Sequence, residues 1–130
     1  MAKKRILIVE DEEGIRHLER EILETRGYEV LEAGDVKEGL AIARKEKLDL
    51  AIIDIRLPSK KRGIGLAKIL RKEEKTCDLP IIFATGYVEG EESTEVQNIP
   101  NCGYITKPFK IEEFLKYVEK YICGKNTKNI

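Results

Sequence analysis

The sequence predicts an α/β domain, a mainly parallel five-stranded sheet with helices on both faces. Three observations carry that prediction. Short apolar runs rich in Ile, Leu and Val recur along the chain, as expected of strands buried on both faces. Between them lie stretches whose apolar residues repeat at helical spacing. The two kinds of segment alternate five times, the pattern of βα units whose crossovers produce a parallel sheet.

The first strand is Ile6-Leu7-Ile8-Val9, which ends on Glu10-Asp11-Glu12-Glu13. The helix after it carries Ile15, Leu18 and Ile22 on one face and closes at Arg26-Gly27, a cation and a glycine suited to a helix end. Residues 29–33 form a short second strand. Asp35 and Glu38 make a capping-box pattern that opens a second helix through about Arg44. Residues 48–53 are the third strand, which stops on Asp54. A polar, basic loop over residues 58–62 leads into a helix from about Gly63 to Lys72, with Leu66, Ile69 and Leu70 as its apolar positions. Residues 80–84 are the fourth strand, ending on Thr85-Gly86. Residues 87–101 are weakly patterned. Within them, residues 91–97 suit a short acidic helix that Pro100 would stop. Residues 104–106 are the fifth strand, ending on Lys107-Pro108. The last helix has the clearest stripe, Ile111, Phe114, Leu115, Val118 and Ile122, and Gly124 ends it. Right-handed crossovers leave few topologies, and for five strands the flavodoxin-like (βα)5 order 2-1-3-4-5 is expected.

A chain of 130 residues supports one core, not two. Residues 1–124 are expected to form that domain, with residues 125–130 as a polar tail. Basic and acidic residues number 24 each, so no charge bias points to nucleic acid or a membrane surface. No apolar run approaches the roughly 20 residues of a membrane helix, and Ile6–Val9 is too short for the apolar region of a signal peptide. A cytoplasmic location is expected. Cys77, Cys102 and Cys123 fit neither a zinc pattern nor a disulfide framework and are expected as free thiols.

In a parallel sheet every strand's carboxyl end lies on one edge, where open α/β sheets bind ligands. Glu10 and Asp11, Asp54, Thr85 and Lys107 should therefore converge there. Three close carboxylates coexist as anions only beside positive charge. Lys107 supplies one such charge, and a hard divalent ion, Mg²⁺ or alternatively Mn²⁺, would supply more. A carboxylate nucleophile, a divalent ion, a lysine and a hydroxyl donor suit phosphoryl transfer, which needs positioning and charge neutralisation. Each residue also has an ordinary reading. Glu10 and Asp11 suit a helix start, Asp54 and Thr85 a turn, Lys107 the solvated surface, and Tyr104 the core. His17, the single histidine, falls beside Arg16 off the apolar stripe and is expected at the surface, neither phosphodonor nor metal ligand.

Together these motifs make the chain resemble a receiver domain of two-component response regulators, from about Arg5 to Ile122. Leu7-Ile8-Val9-Glu10-Asp11-Glu12 resembles the family's acidic pair, with Glu in the first position. Asp49–Pro58 resembles its phosphoacceptor strand, and Ala84-Thr85-Gly86 its hydroxyl position followed by a small residue. Gly103-Tyr104-Ile105-Thr106-Lys107-Pro108-Phe109 resembles its closing motif with the switch aromatic. The order and spacing are specific where each motif alone is not. The resemblance implies that Asp54 takes a phosphoryl group from a phosphohistidine of a sensor histidine kinase or a histidine phosphotransfer protein. It implies that Asp11, Asp54 and the backbone carbonyl of Arg56 hold Mg²⁺, with Glu10 acting through water. Lys107 would hold a phosphoryl oxygen, Thr85 would swing its hydroxyl toward the group, and Tyr104 would turn inward behind it. A cis Lys107–Pro108 bond is implied as well, against a general frequency of about 5–6% for X–Pro bonds. Such a protein promotes its own phosphorylation and dephosphorylation and signals to a downstream protein, as a monomer or weak dimer, rather than turning over an external substrate.

The sequence also departs from the family. Arg62 precedes Gly63 where an aspartate is frequent, and the loop after Asp54 is one residue longer. Arg56 and Tyr87 occupy the two sites that tune phosphoryl lifetime in the family. Arg56 is expected to fork toward the acids, and with Tyr87 to screen the acyl phosphate from water. The stretch Glu89–Glu95 replaces an alanine-rich fourth helix, so the family's partner surface does not carry over directly. Three rivals stay open: a receiver cut from a longer regulator, an unphosphorylated docking module, and an aspartate-nucleophile phosphohydrolase. The haloacid-dehalogenase-like form of the last needs a second aspartate where Arg56 stands.

Overall fold

The computed structural model describes residues 3–55, 62–86 and 96–123, apart from the side chains of Arg62 and Thr85. The elements run β1 (Arg5–Val9), α1 (Glu13–Glu24), β2 (Glu29–Ala33), α2 (Val36–Lys45), β3 (Leu50–Ile53), α3 (Arg62–Lys72), β4 (Ile81–Thr85), β5 (Cys102–Thr106) and α4 (Ile111–Ile122). The strands form one sheet in the order β2-β1-β3-β4-β5, and every neighbouring pair is parallel. The expected flavodoxin-like topology is the observed one.

Strand residues alternate between two apolar layers, because successive side chains point to opposite faces. Leu7, Val9, Ala51, Ile53, Ile81 and Phe83 pack with residues of α2 and α3 on one side. Ile6, Ile8, Leu50, Ile52, Ile82 and Ala84 pack with residues of α1 and α4 on the other. Burial on both faces explains why these strands read as continuous apolar runs. Of the predicted helix between β4 and β5, residues 91–95 lie outside the described residues. Val96 and Ile99 are buried in the α2–α3 layer.

Local signals are visible at the element ends. Asp35 accepts a hydrogen bond from the Glu38 amide at 2.8 Å, and the Glu38 carboxylate accepts one from the Gly34 amide at 2.7 Å. This is a capping box displaced by one residue. Gly27 has φ +84°, the left-handed conformation that lets the chain turn out of α1.

Helix α1 buries Ile22 as predicted but departs from the predicted stripe at Leu18. Leu18 is 54% exposed, and its neighbour Glu19 is buried. The buried stripe is Glu19, Ile22 and Leu23, with Ile15 half-buried one turn earlier. Leu18 sits at the edge of that stripe. Ile111 of α4 is likewise exposed, while Phe114, Leu115 and Val118 are buried as expected. His17 is exposed, facing Glu13 and Glu32. Cys77, Cys102 and Cys123 are free thiols. Among the described residues no helix is long and apolar enough to cross a membrane.

Candidate phosphoryl-transfer site

Sheet register brings the predicted residues to one edge. Val9, Ile53, Phe83 and Tyr104 stand side by side across β1, β3, β4 and β5. Glu10 and Asp54 each follow one residue beyond that row. Thr85 and Thr106 pair further along, and Lys107 comes next. The Glu10 amide donates to Ala33 O at 3.0 Å, and the Asp54 amide donates to Val9 O at 3.0 Å. The two acidic residues are thus pinned by their backbones before their side chains make any contact.

The Lys107 ammonium reaches back over the edge to both. It donates to Glu10 Oε1 at 2.6 Å and to Asp54 Oδ2 at 3.4 Å. Glu10 and Asp54 are buried, and Asp11 is exposed. The carboxylates of Glu10, Asp11 and Asp54 offer oxygens that all lie within 4.8 Å of one another. Three hard oxygen donors around one small space fit a magnesium-like ion, and softer thiol or imidazole donors are not part of the set.

Burial raises the pKa of Glu10, and the Lys107 hydrogen bond and the Glu12 amide only partly offset it. For Lys107 the balance tips the other way. Burial disfavours its charge, but the hydrogen bond to Glu10 and the charges of Asp54, Glu10 and Glu19 outweigh that cost and raise its pKa. The ammonium therefore stays protonated at neutral pH and neutralises part of the acidic cluster.

The other predicted residues take the following places. Thr85 is the last residue of β4, at the same edge. Tyr104, on β5, is 39% exposed. The Lys107–Pro108 bond is cis. Arg56 and Tyr87 lie outside the described residues, as does the loop over residues 58–61.

Three residues around the site were not singled out from sequence. Arg16 donates to Glu10 O at 2.8 Å and to Glu32 Oε1 at 2.8 Å, tying α1 and β2 to the acidic loop. Gly63 opens α3 so close to β3 that a Cβ there would collide with the Asp54 carbonyl oxygen. Glu19 is 2% exposed, and among the described residues its Oε2 has no hydrogen-bond partner. For Gly63 the position at a helix start was a usable signal. Neither Arg16 nor Glu19 stands out in a chain that is 37% charged.

Comparison with known proteins gives a consistent result. The chain matches the response regulator receiver domain over residues 6–119. It is 41% identical over 117 residues to the phosphate regulon transcriptional regulatory protein PhoB of Pseudomonas aeruginosa, covering 88% of this chain and 50% of PhoB. The chain thus spans about half the length of that relative. A CheY-like response regulator receiver domain protein from Methanospirillum hungatei superposes with TM-score 0.89 at 33% identity, over 98% of this chain and 100% of the other. The receiver domain of sensor histidine kinase PA1611 from Pseudomonas aeruginosa, solved with magnesium in its active-site cleft, superposes with TM-score 0.84. Its identity is 25%, over 95% of this chain and 100% of that one.

Proposed function

The chain belongs to the response regulator receiver family, and from that premise we propose that it accepts a phosphoryl group on Asp54 from a phosphohistidine donor. The donor is a sensor histidine kinase or a histidine phosphotransfer protein, and the modified chain switches its binding to a downstream protein. Residues 1–124 make up the proposed receiver unit.

The observation that carries this reading is the Lys107 ammonium bonded to both Glu10 and Asp54 at the carboxyl edge of the sheet. An Asp54 carboxylate oxygen attacks phosphorus, the P–N bond to the donor imidazole breaks with its electron pair going to nitrogen, and the donor, already protonated on its other ring nitrogen, leaves as neutral imidazole. Asp54 is suited to this because its backbone is fixed by β1 and its carboxylate stays partly reachable. Lys107 is already aimed at Asp54 Oδ2 and is the natural holder of a transferred oxygen. Glu10, Asp11 and Asp54 are the residues that would hold Mg²⁺, with the Arg56 carbonyl as the family's fourth contributor. When bound, the ion neutralises charge on the phosphoryl oxygens. The magnesium-bearing PA1611 receiver supports this reading. Thr85, at the same edge, is the proposed hydroxyl partner, and Tyr104 the proposed switch aromatic. The two would report phosphorylation by population shift, because the new charge favours whichever arrangement contacts it best.

Incubation with Mg²⁺ and acetyl phosphate, followed by intact-mass spectrometry, tests this. The expected result is a gain of one phosphoryl group, lost in Asp54→Ala and on chelation. Steady release of phosphate without a labelled protein would favour a hydrolase instead.

A further inference from the structure

Glu19 lies beside the acidic cluster and acts on Lys107 through its charge. Glu19 is buried and lines a groove of about 340 Å³ between α1 and the turn that follows β5. Leu18, Ile22, Pro108 and Phe109 form apolar walls there, and Lys107 lines the same groove. Among the described residues, Oε2 of Glu19 has no hydrogen-bond partner. A buried acceptor left unsatisfied is costly, so its persistence calls for a donor that visits it. Among the described residues, Lys107 is the one cationic residue that lines the groove. Each of the two residues feels the other's charge.

We propose that Glu19 is a positioning residue that offers the Lys107 ammonium a second seat, taken up when a divalent ion draws Glu10 and Asp54 away from it. This rests on the divalent-ion reading of the acidic cluster. In the structure Lys107 holds the same two carboxylates that would hold the ion. Ion and ammonium therefore compete for Glu10 and Asp54. An alternative acceptor behind the lysine relieves the competition and keeps the ammonium near Asp54 for an incoming phosphoryl oxygen. Among the described residues, the charged groups that act on Glu19 are Lys107 from the turn after β5, Glu10 from the end of β1 and Asp54 from the end of β3. The two acids oppose ionisation of Glu19 and the lysine favours it. Burial is the largest influence and pushes its pKa up to about 7. The carboxyl group thus stands close to the balance point, where an approaching ammonium can hold it ionised.

The test is Mg²⁺ affinity by calorimetry, in the whole chain, for wild type, Glu19→Gln, Glu19→Leu, Lys107→Ala and Lys107→Ala/Glu19→Gln, with circular dichroism to verify folding. Glu19→Gln keeps the shape and removes the charge. Glu19→Leu suits the apolar surroundings and serves where the Gln variant folds poorly. Both variants should bind Mg²⁺ roughly threefold or more weakly, as expected for coupled residues of one charge network. Lys107→Ala should bind more tightly, and in that background Glu19→Gln should have no further effect. A wild type that binds Mg²⁺ with both Glu19 variants unchanged overturns the second seat and leaves the metal site standing. Weakening that persists without Lys107 also overturns it, because Glu19 would then act directly through its charge. A wild type that binds no Mg²⁺ overturns the metal site and this proposal together.

Discussion

Glu19 places a carboxyl group where a core-facing helix position ordinarily holds an apolar side chain. Burial raises its pKa from the ordinary 4.5 to about 7. Between those values the folded chain keeps a proton that the unfolded chain has lost. Stability therefore falls as pH rises through that window, and the loss is complete above about 7. A shift of this size corresponds to roughly 3 kcal/mol. Glu19→Leu should therefore stabilise the protein by an amount of that order at pH 8 and flatten the decline, as read by urea unfolding at a series of pH values. Gly63 acts through shape rather than charge. A Cβ there meets the carbonyl of Asp54, and backbone does not yield like the tip of a side chain. Gly63→Ala should displace Asp54 or the start of α3 and slow labelling by acetyl phosphate roughly tenfold to a hundredfold. A labelling rate equal to wild type would show that the helix start moves without disturbing the acceptor.

Elements were legible where local chemistry and tertiary contacts agree. β2 was expected at residues 29–33 and is found there, and α2 opens at the predicted Asp35 cap. Asp35→Ala should cost about 1 kcal/mol, measurable by thermal or urea unfolding, with little effect on labelling. The third strand was drawn two residues too long. Asp49 instead closes the bottom of the sheet, its Oδ2 accepting from the Arg5 amide at 2.8 Å. In α1 the stripes through Leu18 and Glu19 are both helical, and hydropathy alone chooses Leu18. The choice between them is set by how α1 packs on the sheet and α4, which no periodicity within α1 encodes. α4 has one dominant stripe and was read correctly, save for Ile111 at its exposed first turn.

At the scale of the whole molecule, the candidate site follows from topology. Once the strands are parallel, their carboxyl ends share an edge, and the acidic residues and Lys107 meet whatever their separation in sequence. That convergence was legible from strand endings alone. The partners chosen within it were not. Lys107 lies closer to Glu10 than to Asp54, and Arg16 holds the acidic loop by its backbone. Such choices depend on rotamers and distances of a few tenths of an ångström, which spacing does not specify. By the reading proposed above, the edge cluster makes Asp54 the phosphoryl acceptor. The most direct measurement is borohydride reduction of the protein after treatment with acetyl phosphate, followed by peptide mapping. Reduction converts an aspartyl phosphate to homoserine, so homoserine is expected at position 54, dependent on a divalent ion. Homoserine elsewhere, phosphate retained on His17, or labelling at 54 indifferent to chelation would contradict it.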